Sequence, residues 1–265
     1  MAMIDFKGKT ILVTGASSGI GAAIACEFAS KGAKLILAAR NKSRLEEVQS
    51  KCAALGSTAS IYSVDMASTE SIDAFTDELD RTDTQLDVMV LNAGISQRAL
   101  TFETDLDVDR KVMETNFFGP VYLTKRLASR IKGSKRFSLA VTTSISGLFG
   151  FPLRSAYCAS KHALFGFFEA LELENPNVRV TFLIPGRINT PISRSAVLGD
   201  GSTYAKMDDG QANGMDVDKC AKVAVKAIAR GKHRKLIGRG ELVIVYIKKW
   251  CPWLFFKIAG RISAT

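Results

Sequence analysis

Thr10-Ile-Leu-Val-Thr14-Gly15-Ala-Ser-Ser-Gly19-Ile-Gly21 is a run of β-formers that stops at a cluster of small residues and gives way, over residues 22–30, to a helical pattern. Strand, tight turn and helix in that order set the helix amino terminus against the turn. Its unpaired N–H groups and positive dipole end then favour an anion. The spacing Gly15-x-x-x-Gly19-x-Gly21 widens the first gap of the Gly-x-Gly-x-x-Gly dinucleotide fingerprint but leaves the physical demand unchanged. Gly15 permits the tight turn, and Gly19 lets backbone approach a pyrophosphate beside Ser17, Ser18 and Ile20. Gly21 lets the helix pack closely on its strand. Placement between strand and helix separates this turn from an ordinary glycine loop.

Outward from it the same alternation repeats. Apolar strands are expected at 34–38, 60–64, 87–91, 137–143, 178–184 and 234–238. Helices are expected at 42–55, from an N-cap at Ser68 to 81, as one long element at 106–131, and at 155–174 and 217–229. Strands apolar on both faces, separated by amphipathic helices, imply an α/β fold with a doubly wound parallel sheet. Ligands in such sheets lie beyond the carboxyl ends of the strands. Each expected strand end carries a candidate: the glycine turn, Arg40, Asp65, Asn92, Ser144 and Pro185-Gly186. No internal repeat or linker interrupts the series, so residues 1–240 are read as one dinucleotide-binding and catalytic domain and 241–265 as an extension.

The second strand ends Ala38-Ala39-Arg40, with no acid to take a ribose 2′-hydroxyl and with a guanidinium fork suited to a 2′-phosphate. This favours NADP(H) over NAD; Arg40 as a solvated loop residue is the competing reading. Tyr157 and Lys161 stand one helical turn apart, close enough for an ammonium to act on a phenol. By itself that spacing occurs on many surface helices.

Together, Thr14-Gly-x-x-x-Gly-x-Gly21, Asn92-Ala93-Gly94, Asn116, Ser144, Tyr157-x-x-x-Lys161 and Pro185-Gly186-x-Ile188-x-Thr190 resemble the short-chain dehydrogenase/reductase family over residues 6–190. Leu91 departs from the pattern, since the family more often has a second Asn there. The resemblance implies a Rossmann-type sheet and hydride transfer between a nicotinamide and a ketone or secondary alcohol. It implies that Tyr157 exchanges the proton, that Lys161 lowers the phenol pKa and holds the nicotinamide ribose, and that Ser144 bonds the substrate oxygen. Asn116 would hold a water linked to Lys161. Asp65 would meet the adenine, or else cap the following helix. Asn92, Ala93 and Gly94 would line the middle of the nucleotide, with Pro185, Gly186, Ile188 and Thr190 toward the nicotinamide. The competing class is a non-catalytic NADP-binding sensor or scaffold at a membrane surface; an intact Ser144, Tyr157 and Lys161 argues against it.

The charge is divided. Residues 219–265 hold twelve Lys and Arg against one acid, Glu241, while residues 1–218 hold 24 basic and 25 acidic residues. Both Trp residues, Trp250 and Trp253, lie in the basic segment beside Phe255, Phe256, Lys248, Lys249, Lys257 and Arg261, in two short helices expected at 241–250 and 252–262. That mixture fits a membrane interface and a lipophilic substrate, and the terminus resembles the membrane-associated, hydroxysteroid-dehydrogenase-like branch of the family. Covering the core or a partner subunit is the alternative. A homo-oligomer, dimer or tetramer, is expected. No recognition motif accompanies the charge, so nucleic acid is not expected as a partner. Five scattered cysteines without a Cys-x-x-Cys pair fit a reducing compartment, and two histidines make no metal site. Met1 to Gly8 shows no secretory pattern and the longest uncharged run, 137–153, is too short to span a bilayer. An intracellular, cytoplasmic or membrane-associated chain is expected. Residues 187–216 are read as a mobile substrate loop with one short helix, and Phe149, Phe151, Leu153 and Val197 as an apolar substrate end.

Overall fold

The structure, a computed structural model, describes residues 3–260. Its centre is a sheet of seven parallel strands: β1 (Thr10–Thr14), β2 (Lys34–Ala39), β3 (Ala59–Ser63), β4 (Val88–Leu91), β5 (Phe137–Thr142), β6 (Val178–Pro185) and β7 (Arg234–Ile237). The spatial order is β3-β2-β1-β4-β5-β6-β7. Successive connections therefore run one way from β1 to β3 and then cross back to β4, which leaves a crevice between the carboxyl ends of β1 and β4. The sequence reading placed all seven strands to within a residue or so at each end.

Alternation along the strands splits the apolar side chains between two layers. Ile11 and Val13 of β1 face a cluster built with Ile24, Phe28, Ala224 and Ile228. Those residues come from α1 (Gly19–Ala29) and from the later helix Val217–Ala229. Leu12 faces the opposite layer, with Leu123, Phe168 and Phe182. Each fully buried side chain of this kind contributes about 1.5–3 kcal/mol. The helices α2 (Lys42–Ala54) and α3 (Thr69–Arg81) follow the next two strands. Ser68 caps α3 as expected, accepting from the Ser71 N–H at 3.1 Å.

The long helix expected at 106–131 is broken into α4 (Leu106–Met113), a π turn (Glu114–Phe118), α5 (Gly119–Arg126) and α6 (Ala128–Gly133). Across the π turn the Gly119 N–H reaches the carbonyl of Glu114, five residues back. Two residues enforce the break. Pro120 has no N–H to return to the carbonyl of Asn116, and Gly119 sits where any Cβ would collide with the Met66 carbonyl oxygen. The chain continues with α7 (Ser155–Glu174), the short α8 (Asp209–Ala212), α9 (Val217–Ala229), α10 (Val243–Trp250) and α11 (Pro252–Ala259). Arg261 and Ile262, expected in the last helix, lie outside the described residues.

The last two helices have two faces. Phe255 and Ala259 are buried against Phe149, with the Phe149 and Phe255 rings 5.1 Å apart. On the outside Tyr246, Trp250, Trp253 and Phe256 are exposed, by 55 to 72 % of their area. Among the described residues no helix is long and apolar enough to cross a membrane.

Candidate active site

The carboxyl ends of the strands open on a cavity of about 610 Å³. Apart from Gly21 and Asn116, every residue expected at the site from sequence lines it: Gly15, Ser17, Ser18, Gly19, Ile20, Arg40, Asp65, Asn92, Ala93, Gly94, Ser144, Tyr157, Lys161, Pro185, Gly186, Ile188 and Thr190.

The glycine turn is shaped by close approach. Gly15 has φ +64°, and a Cβ on it would come within 2.8 Å of the Ala93 Cα; one on Gly21 would collide with the Gly15 carbonyl oxygen. Gly21 thus packs the turn from behind. At the start of α1, Ser18 makes no side-chain cap, and the first turn carries no acid. The N–H groups of that turn are left for an anion, so the cradle fits a pyrophosphate. Asn92 ties β4 to β1: its backbone N–H donates to Thr14 Oγ1 at 3.0 Å and its Nδ2 to the Thr14 carbonyl at 3.2 Å. Leu91, the departure from the family pattern, is buried in an apolar layer, and the cross-strand contact is made without it. Asp65 does not cap α3. It accepts from the Ala67 N–H at 2.9 Å in a local turn. Arg40 and Arg44 are exposed at the mouth beneath which the second strand ends.

Ser144, Tyr157 and Lys161 converge at the inner end. The Ser144 hydroxyl lies close enough to the Tyr157 phenol to lower its pKa, and accepts from the Ser146 N–H at 3.1 Å. Lys161 Nζ donates to the Thr142 carbonyl at 2.9 Å and lies 5.9 Å from the centre of the Tyr157 ring. The sequence reading expected a lowered phenol pKa. Here burial pushes it up, and the Ser144 hydrogen bond and the charge of Arg154 offset only part of that. The same burial lowers Lys161 to about 8. Both groups are biased toward their neutral forms.

Asn116 stands behind the cavity, fully buried in the π turn. Its Oδ1 accepts from the Ile95 N–H at 2.8 Å, and its Nδ2 donates to the Ile95 carbonyl at 2.9 Å and to Ser160 Oγ at 3.0 Å. Gly94 separates it from Lys161: a Cβ there would sit 3.0 Å from Asn116 Oδ1 and 3.4 Å from Lys161 Nζ.

A second cavity, about 410 Å³, adjoins the first and shares Ser144, Arg154, Gly186 and Gln211 with it. Its other walls include Phe149, Phe151, Ile244, Ile247 and Ile258, so α10 and α11 close it. Val197 packs instead in a small cluster with Tyr157, and Leu153 does not line the chamber. The loop at 187–216 is pinned by backbone bonds, Met215 N–H to the Arg187 carbonyl at 2.7 Å among them. Glu241, the one acid of the basic segment, accepts from the backbone N–H of Arg187 at 2.9 Å and of Arg239 at 3.1 Å.

Sequence reasoning missed the buried pair Arg98 and Asp208 and the partly buried Arg154 beside it, an ion cluster against the site. Arg154 left a signal, since it ends the longest uncharged run one turn before Tyr157. Asp208, in a polar loop, left none.

A parallel sheet reversing at β1, a glycine cradle at that reversal and a Ser, Tyr and Lys beyond it define a dinucleotide-dependent oxidoreductase. A family model described as short chain dehydrogenase matches residues 9–200. The chain is 40 % identical over 261 residues to the mouse dehydrogenase/reductase SDR family member 7B, covering 95 % of this chain and 80 % of that one. It is 37 % identical to the Drosophila melanogaster dehydrogenase/reductase SDR family protein 7-like, with 97 % and 81 % covered. A crystal structure of a short-chain dehydrogenase/reductase from Burkholderia phymatum in complex with NAD superposes with a TM-score of 0.82 at 23 % identity, covering 95 % of this chain and 96 % of that one. An alcohol dehydrogenase from Thermococcus sibiricus complexed with 5-hydroxy-NADP gives 0.76 at 25 % identity, covering 88 % and 97 %. This chain belongs to the short-chain dehydrogenase/reductase family.

Proposed function

We propose that the protein is an NADP(H)-dependent reductase of a lipophilic ketone, interconverting it with the secondary alcohol. The observation that carries this is the junction of the two cavities at Ser144, where a polar dinucleotide groove meets a largely apolar chamber. A bound nicotinamide supplies hydride chemistry. The chain's own part is to orient the carbonyl and handle its proton. Ser144 and Tyr157 offer two hydroxyls to one oxygen, and both are buried, where such bonds stabilise developing charge more than they would in water. A protonated phenol beside the carbonyl is the acid that reduction needs, and Tyr157 is in that form at neutral pH before hydride moves. Lys161 is placed to bond a ribose beside Gly94, and Arg40 with Arg44 offers cations for a 2′-phosphate.

We read residues 1–240 as the catalytic unit and 241–265 as an extension that walls the chamber. The exposed aromatic face of that extension, with Lys249 over Trp250 and Lys257 over Trp253, supports docking on an anionic membrane surface.

Following NADPH absorbance with a panel of lipophilic ketones tests the reading. Tyr157→Phe is expected to lose about 10²–10⁴-fold in turnover while still binding NADPH. No turnover by the unaltered protein on any ketone, or equal turnover by the variant, would refute it.

A further inference from the structure

Beyond β4 the chain runs through Ser96, Gln97 and Arg98, and each of these residues is buried. Gln97 faces the helix that carries Tyr157. The residue at the cap position of α7, Arg154, makes no side-chain cap. Gln97 does that work from another part of the chain: its Oε1 accepts from the Ala156 N–H at 3.0 Å and the Tyr157 N–H at 3.5 Å. Its Nε2 donates to Thr104 Oγ1 at 3.1 Å and to Ser155 Oγ at 3.4 Å. It does not line either cavity, so it touches neither ligand.

The same three residues hold the substrate loop. The Val197 N–H donates to the Ser96 carbonyl at 2.9 Å, and the Arg98 N–H to the Val197 carbonyl at 2.8 Å. The Arg98 guanidinium pairs with the Asp208 carboxylate, each side chain 3 % exposed. It also donates to the Gln97 carbonyl at 2.6 Å and to Ser96 Oγ at 2.7 Å. Arg154, one turn before Tyr157, reaches the same Asp208 oxygen at 3.4 Å. An ion pair buried this deeply adds little net stability over apolar packing of the same volume, yet it fixes one geometry and fails when one partner leaves. Such a pair suits a segment that must hold a single closed position.

We propose that Ser96, Gln97 and Arg98 form a strut linking the substrate loop to Tyr157, with Gln97 as a positioning residue for the phenol and Asp208 as the latch on the loop. Closing the loop and seating Tyr157 are then one event. Tyr157 as the proton donor comes from the function proposed above; the mechanical link does not depend on it.

Reciprocity gives a readout free of turnover, because two coupled sites must affect each other equally. Hydrogen exchange followed by mass spectrometry on the full chain compares Asp208→Asn and Gln97→Met with the unaltered protein. Asp208→Asn is expected to speed exchange in the first turn of α7 by about tenfold, and Gln97→Met to do the same across residues 194–208, with α9 unchanged in both. Either variant alone decides its direction should the other fail to fold. Exchange that rises only at the altered end overturns the strut.

Kinetics add a split that a general loss of stability would not produce. Because closing the loop and seating Tyr157 are one event, Gln97→Met and Asp208→Asn should each lower kcat and raise KM for the ketone, with KM for NADPH nearly kept. The double variant should be no worse in kcat/KM than the worse single one, whereas multiplying losses would mean two independent residues and no strut. Absence of turnover in the unaltered protein would sink the proposed reaction and leave exchange to judge the coupling.

Discussion

Removing the ammonium of Lys161 should make the protein more stable and, on the reading above, inactive. The side chain is 4 % exposed, and burial lowers it from 10.5 to about 8. Between those two values the unfolded chain binds the proton and the folded chain does not, so stability rises with pH through the window. Below about 8 the buried charge is fully destabilising; above 10.5 the cost is gone. A displacement of that size corresponds to about 3 kcal/mol. Lys161→Met removes this cost but also removes the donor to the Thr142 carbonyl, a loss of about 1 kcal/mol. The net gain at neutral pH is then about 2 kcal/mol, or roughly 5 °C in Tm for a chain of this length. Urea unfolding of both proteins between pH 7 and 10.5 provides the assay. The variant's advantage should be largest at pH 7, shrink as the pH rises and reverse near pH 10.5, where only the lost hydrogen bond remains, since other titrating groups are shared. A variant less stable at pH 7, or a constant difference across the range, would refute the reasoning.

Three further outcomes follow from the same geometry. Arg40→Ser should weaken NADPH binding about 10–100-fold and leave NADH binding nearly unchanged in fluorescence titrations, the size of a lost charge-assisted bond; equal loss for both nucleotides would count against a 2′-phosphate contact. Gly21→Ala should lose about 1–3 kcal/mol or more in urea unfolding together with dinucleotide binding, because its Cβ meets backbone, whereas Gly150→Ala, with open space around it, should be close to neutral. The double variant Trp250→Ser, Trp253→Ser should release the protein from anionic liposomes in a flotation assay without changing its unfolding midpoint; equal flotation would remove the membrane reading of that face.

The sheet was legible because its five inner strands are largely apolar on both faces and stop at a polar or small residue, and because Gly15, Gly19 and Gly21 mark the first crossover. The cavity lining was legible for the same reason, since the strand order delivers every strand end to one rim. The π turn was not read, although Gly119-Pro120 lay in plain view within the expected helix; a pattern of apolar spacing tolerates a break that keeps its stripe facing the core. The direction of the Tyr157 shift was misread because spacing reports a charge one turn away and says nothing of burial around it. Arg98 and Asp208 are 110 residues apart, and no local pattern announces a pair made only by tertiary closure.

The π turn bears on what changes of length this chain can accept. Deleting one residue among 114–118 would let a regular helix form, and by local propensity alone that looks like an improvement. It would also rotate everything downstream by about 100° relative to what precedes it. Gly119 would leave the Met66 carbonyl, Leu123 would turn out of its apolar layer, and the Asn116 amide would lose both bonds to Ile95. The irregular turn is therefore a phase correction between two helical segments. Shortening or lengthening the chain there should be less tolerated than any single substitution within it.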